Sequence, residues 1–121
     1  MLNEVLLALV LLQIKHWYID FVNQSNEEVA HKGIYMDWLG IKHSLKQGIA
    51  TALIFWIWVH PVIAIMLGII DFVVHYHIDW SKMNLNKKLG YTIEMPQFWA
   101  LLGADQLAHQ LTYLGLIWLV V

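Results

Sequence analysis

The chain has no cysteine, no arginine and only two prolines in 121 residues. Without thiols there is no disulfide, no thiolate metal site and no cysteine nucleophile, so any metal must be held by imidazole and carboxylate. Seven lysines against nine acidic residues leave a net charge of −2, too little basic field to hold a nucleic-acid backbone, and that class of partner is excluded. Charge of either sign is scarce: 13% of residues carry it, where a soluble domain has about a quarter. Apolar residues fill the space instead, at 60% of the chain and a mean hydropathy of +0.57. The composition points to a single all-α membrane domain over residues 1–121, with the lipid bilayer as its first partner.

The apolar run from Leu6 to Leu12 has no basic residue before it and no small-residue cleavage site after it, so it reads as a retained helix rather than a signal peptide. The stretch from Ile49 to Val74 is too long for one simple span, and His60-Pro61 interrupts it just after Trp56 and Trp58. Proline suits the first turn of a new helix and tryptophan suits the headgroup level, so a tight turn is expected there. The alternative is one long kinked helix. The expected architecture is a four-transmembrane-helix bundle, with helices at about 2–23, 37–59, 61–80 and 96–120.

Lysine placement tests this arrangement. Four spans put the loops Gln24–Lys42 and Ser81–Met95 on one side, and these with the adjoining helix ends hold Lys32, Lys42, Lys46, Lys82, Lys87 and Lys88. Both loops are therefore expected in the cytoplasm, with both termini outside an inner membrane. Trp38, Trp80 and Trp99 fall near the inner interface, and Trp56, Trp58 and Trp118 near the outer one. Ser25-Asn26-Glu27-Glu28 reads as a capping box that opens a short interfacial helix, closed at Gly33. The segment Ser81 to Lys88 reads as a basic and amide patch for anionic headgroups or for a phosphate-bearing or lipid substrate. There is no internal repeat, glycine-rich phosphate loop or serine nucleophile motif.

Chemistry concentrates in histidine and aspartate. His16 and Asp20 are four apart, Asp71, His75 and Asp79 repeat the step twice, and Asp105 and His109 repeat it again. Seven histidines and five aspartates placed at random would give roughly 0.6 such pairs, and the chain has four. Residues four apart share a helix face, so each pair presents an imidazole and a carboxylate together. His43 and Gln47 have the same spacing. In the four-span arrangement these groups reach a common depth near the cytoplasmic side, with Asp71 and Asp105 further in.

The first reading is a metal site with His16, Asp20, His75, Asp79, Asp105 and His109 as ligands, for a divalent transition metal: zinc first, then manganese or non-haem iron. Asp71, Asp105 and His43 are then the candidate acid-base groups of a metal-dependent hydrolase. The competing readings are mutually neutralising His-Asp pairs in a core, a proton or ion path, and, less consistent with the aspartates, a haem with paired histidines. A non-enzymatic module stapled by metal is the alternative function.

The order His16-x-x-x-Asp20-Phe21-x-x-Gln24, His43-Ser44-Leu45, His75-x-x-Ile78-Asp79-x-x-Lys82 and Asp105-Gln106-x-x-His109 resembles the domain of unknown function 3307 family, small polytopic proteins of bacteria and phages. The resemblance spans nearly the whole chain. It implies a multi-pass helical fold with a His/Asp centre, akin in motif style to membrane-bound metal-dependent hydrolases. Family members often carry a second histidine four residues after the one matched by His43; here that residue is Gln47.

The remaining polar residues have simpler readings. His31 is expected in solvent, His60 as a cap before Pro61, Asp37 as a helix cap, and His77 on another face of its helix from His75. Lys15 is expected to extend toward headgroups. Gly48, Gly68, Gly103 and Gly115 permit close helix packing, within one chain or in a homo-oligomer.

Overall fold

A computed structural model describes all residues, 1–121, and is entirely helical. Helix α1 covers Leu2–Trp17 and continues into a π-helical turn, Tyr18–Val22. It is followed by a short helix α2, Asn26–His31, and by three long helices: α3, Trp38–Phe55; α4, Pro61–Leu89; and α5, Pro96–Val120. Two segments, Leu2–Val22 and Pro61–Leu89, are long and apolar enough to cross a membrane.

Local chemistry sets these boundaries. Ser25 Oγ accepts from the Glu28 amide and opens α2, and Asp37 accepts from the Leu39 amide and opens α3. His31 bonds Asp37 at 3.0 Å, so it belongs to this cap; that bond holds the Asp37 carboxyl below its ordinary range. His60 Nδ1 accepts from the Val62 amide, and Pro61 follows as the first residue of α4. The chain therefore breaks between Phe55 and Pro61 rather than kinking, and α3 and α4 form an antiparallel pair. Helix α4 runs nine residues past the expected end at Trp80, because Ser81 to Leu89 contains no breaker and Gly90, at φ 69°, supplies the left-handed cap. The segment expected as a basic loop is thus largely the last turns of α4.

The four long helices pack in the cyclic order α1, α3, α4, α5. Helices α3 and α4 approach most closely at Gly48 and Gly68, where an added Cβ would lie 2.7 Å and 2.6 Å from the opposing carbonyl oxygen. Around Gly103 and Gly115 there is open space. At the end holding the termini, Leu12, Phe55, Leu67, Tyr113 and Leu116 form a closed apolar core. Toward the other end the interior is polar. Fourteen of the buried residues are polar or charged against ten hydrophobic ones, while Leu6, Val10, Ile14, Leu53, Ile65, Ile69, Leu107, Leu111 and Trp118 lie exposed. This is the reverse of the distribution water imposes.

Candidate metal centre

Each long helix contributes an inward stripe to the polar half. From α1 come Lys15, His16 and, in the π-helical turn, Asp20; α3 gives His43, Ser44, Gln47 and Thr51; α4 gives Asp71, His75 and Asp79; α5 gives Asp105 and His109. The widened turn, closed by the Asn23 amide on the Tyr18 carbonyl at 2.7 Å, carries Asp20 toward α3.

Two sets of donor atoms converge. Asp20, His43 and His75 form one and His75, Asp79 and His109 the other; within each, the possible ligand atoms lie no more than 4.8 Å apart. His43 Nε2 lies 2.8 Å from Asp20 Oδ1, and His75 Nε2 lies 3.5 Å from the same oxygen and 3.1 Å from Asp79 Oδ2. His109 Nε2 lies 3.1 Å from Asp79 Oδ1 and 3.3 Å from Asp105 Oδ1. The His75 and His109 rings stack with centroids 4.0 Å apart. Since the same nitrogen of His75 serves both sets, it can ligate one ion at a time.

The donor set fits a divalent cation on two counts. Both nitrogens of His75, Asp79 Oδ2 and Asp105 Oδ1 are buried without a well-formed hydrogen bond, although Asp79 Oδ2 has His75 and Lys32, and Asp105 Oδ1 has His109, at ion-pair distance. The buried acids Asp20, Glu28, Asp71, Asp79 and Asp105 also outnumber the buried lysines Lys15 and Lys32, with Lys46 also on Glu28; the balance falls to protonated buried histidines or to a cation bound in their place. Each set offers two imidazoles and one carboxylate, a composition common to zinc and non-haem iron sites.

The other expected site residues lie around this core. His16 belongs to neither convergent set. Gln106 Nε2 donates to Asp105 Oδ2, so its Oε1 must accept from His16 Nε2, at 2.6 Å; His16 Nδ1 then takes the Tyr113 hydroxyl at 3.0 Å, with Asp20 Oδ2 at 3.2 Å. Both ring nitrogens are engaged, so His16 offers no free lone pair, and it reaches Asp105 through Gln106. Asp71 lies outside both sets: its Oδ2 accepts from Lys15 Nζ at 2.9 Å and from Thr51 Oγ1 at 2.6 Å. Lys15 does not reach for headgroups. Its ammonium is buried, because an inward acid within reach compensates it better than a long path to the interface. Gln47 joins the two regions, donating to Asp20 Oδ1 at 2.8 Å and accepting from Lys15 at 2.6 Å. His31, His60 and His77 take no part, and His77 bonds the Tyr35 hydroxyl and the Val73 carbonyl.

Sequence reasoning missed four contributors. Glu28 and Lys32, from the short segment expected to lie at the surface, fold inward and are buried. Lys32 Nζ stands 3.3 Å from Asp79 Oδ2, and Glu28 stands 3.5 Å from His43 Nδ1, on the far side of that ring from the centre, while bonding Lys46. Tyr113 and Gln106 are the others. The i, i+4 and i, i+7 spacings of His109 to Tyr113 and Gln106 to Tyr113 were available signals; nothing local marks Lys32.

Compared with protein-family profiles, curated proteins and solved structures, the chain matches none.

Proposed function

We propose that the protein is a multi-pass membrane protein, spanning the bilayer four times, whose polar half holds a divalent transition metal used for hydrolysis. The single observation that carries this reading is the convergence of buried imidazole and carboxylate donor atoms in two sets, Asp20, His43 and His75, and His75, Asp79 and His109. The inverted burial supports the membrane setting, since apolar side chains outside and ionisable ones inside suit a bundle in lipid. The four motifs behind the family resemblance supply most of the residues that converge, and the resemblance is part of the proposal.

Asp20, His43 and His75, or His75, Asp79 and His109, would hold the ion, with zinc the first candidate. A metal bound there supplies Lewis acidity and eases deprotonation of water. Glu28 stands behind His43 as a charge partner at 3.5 Å, and Asp105 Oδ1 is the carboxylate oxygen available to accept a proton. A groove of about 570 Å³ between α4 and α5 reaches Asp105, which gives a reactant an approach. A second reading, a closed metal staple without catalysis, is favoured by the complete burial of His43 and His75. An ion path through the molecule is opposed by the apolar core around Leu12, Phe55 and Leu116.

Metal analysis of the detergent-purified chain tests the proposal. Bound zinc, manganese or iron is expected in wild type and in His60→Ala, and its loss in His75→Gln with helicity retained. A wild-type chain that takes up none of these ions after reconstitution ends the proposal. Exchangeable water on the bound ion would favour the hydrolytic reading over the staple.

A further inference from the structure

The groove between α4 and α5 has two unlike ends. Ser81, Lys82 and Asp105 lie among its polar lining, while Val73, Val74 and Ala108 belong to its apolar part. From Val73 to Lys82 the helix rises roughly 14 Å, the dimension of an acyl segment rather than of a small polar solute. The small side chains of Ala104 and Ala108, one turn apart on α5, leave the space open. Lys15, Lys32, Lys42 and Lys46 all pair with carboxylates, whereas half-buried Lys82 forms no ion pair and stands at the groove with its charge uncommitted. On the inner wall, Asp105 is buried, its Oδ1 lacks a hydrogen-bond partner, and His109 of the candidate centre is 3.3 Å behind it. An apolar trough with one uncommitted cation at its polar end matches an anionic amphiphile, whose head group is recognised by Lys82 and not by Asp105, an acid already paired with Gln106 and His109.

We infer that this groove binds an anionic phospholipid, its phosphate at Lys82 and Ser81 and one acyl chain along Val73, Val74 and Ala108. This placement sets the bonds linking headgroup and chain beside Asp105. The inference rests on the hydrolytic reading for its purpose, since it names the substrate class of that centre, but lipid binding is measured without metal or turnover. Zwitterionic choline-type phospholipid carries the phosphate but no net negative charge, and a lysine near a membrane surface contributes about 1 kcal/mol toward an anionic lipid, or roughly fivefold.

The test is native mass spectrometry of the full chain in detergent with phosphatidylglycerol or phosphatidylcholine of identical acyl chains, alongside metal analysis of the same samples. Wild type should retain phosphatidylglycerol about fivefold better. Lys82→Gln, at a half-buried position outside the ligand sets, should abolish that preference. Ala104→Leu, at an exposed position, should reduce retention of both lipids with metal content unchanged. Equal retention of the two lipids by wild type overturns the inference, as does an Ala104→Leu chain that binds lipid normally or that changes only its oligomeric state. Lipid preference in a chain that takes up no metal would uphold the groove while removing the metal reading, so the two failures are distinguishable.

Discussion

Lys32 and Glu28 show how single side chains tune the centre from opposite directions. The Lys32 ammonium, 3.3 Å from Asp79 Oδ2, offsets a carboxylate that a metal would otherwise claim, so it competes with the ion for the same charge. Lys32→Gln should therefore tighten metal binding by about tenfold, equivalent to roughly 1.4 kcal/mol, in a chelator competition titration. Weaker binding in that variant would mean that Lys32 builds the site instead of opposing the ion. Glu28 Oε2 stands 3.5 Å behind His43 Nδ1 without a formed hydrogen bond, close enough for its charge to raise the basicity of a ligating imidazole. Glu28→Gln should weaken metal binding by about 10–100-fold with little change in helix content. Neither role was legible from spacing. The His and Asp repeats marked three of the four long helices and the His43–Gln47 step the other, but Glu28 and Lys32 sit on a segment whose local pattern is that of a solvent-facing cap. Only the folding of α2 back over the bundle end carries them inside.

At the scale of elements, the contact between α3 and α4 is the tightest constraint on the site, because it fixes His43 against His75, with ring centroids 5.4 Å apart. That contact depends on two glycines whose backbones meet. In Gly68→Ala the new Cβ would lie 2.6 Å from the Gly48 carbonyl and 2.8 Å from the Ala52 Cβ, so the helices must separate. The expected cost is about 1–3 kcal/mol, read as a lower unfolding midpoint in detergent, together with weaker metal retention. Gly103→Ala, which meets nothing within 4 Å, should be neutral or stabilising by up to about 1 kcal/mol through helix propensity. Equal effects of the two substitutions would show that the interface tolerates separation. The break before Pro61 was readable because proline has one strong positional meaning. The C-terminal end of α4 was not: amides and lysines look like loop by polarity, yet Lys, Leu and Met are good helix formers, and the actual stop is the left-handed Gly90. The first turn of α3 carries its own pH dependence. Asp37 is held below its ordinary carboxyl value, so its support for this cap is complete above that value and is lost as pH falls through the lowered one. Amide exchange at Leu39 should accelerate over that acidic range and should not in Asp37→Asn.

For the whole molecule, the inverted distribution of polarity is the feature on which the proposed bilayer setting rests. A chain whose interior holds Asp71, Asp79, His75 and His109 while Trp118 is 78% exposed has placed its costly groups where they compensate one another and its apolar groups outside. This much was legible in the sequence, since low charge and four His/Asp steps on apolar helices leave the ionisable groups few other places to go. Chain topology was legible at the level of which connections share an end of the bundle. The bundle bears on it, because Asn84 near the end of α4 donates to the Gly33 carbonyl at 2.9 Å, joining the α2–α3 connection to the far end of α4. In the four-span reading, that end faces the cytoplasm and the end with Trp58 and Val121 faces outward. The absence of cysteine makes the arrangement testable with single introduced thiols and no background. In intact cells, a membrane-impermeant maleimide should label Trp58→Cys and Val121→Cys but not Glu27→Cys or Lys87→Cys, and should reach the latter two after permeabilisation. Labelling of Glu27→Cys and Lys87→Cys from opposite sides would require an odd number of crossings between them. It would also contradict the Asn84 to Gly33 contact, and with it the antiparallel packing that brings the ligand sets together.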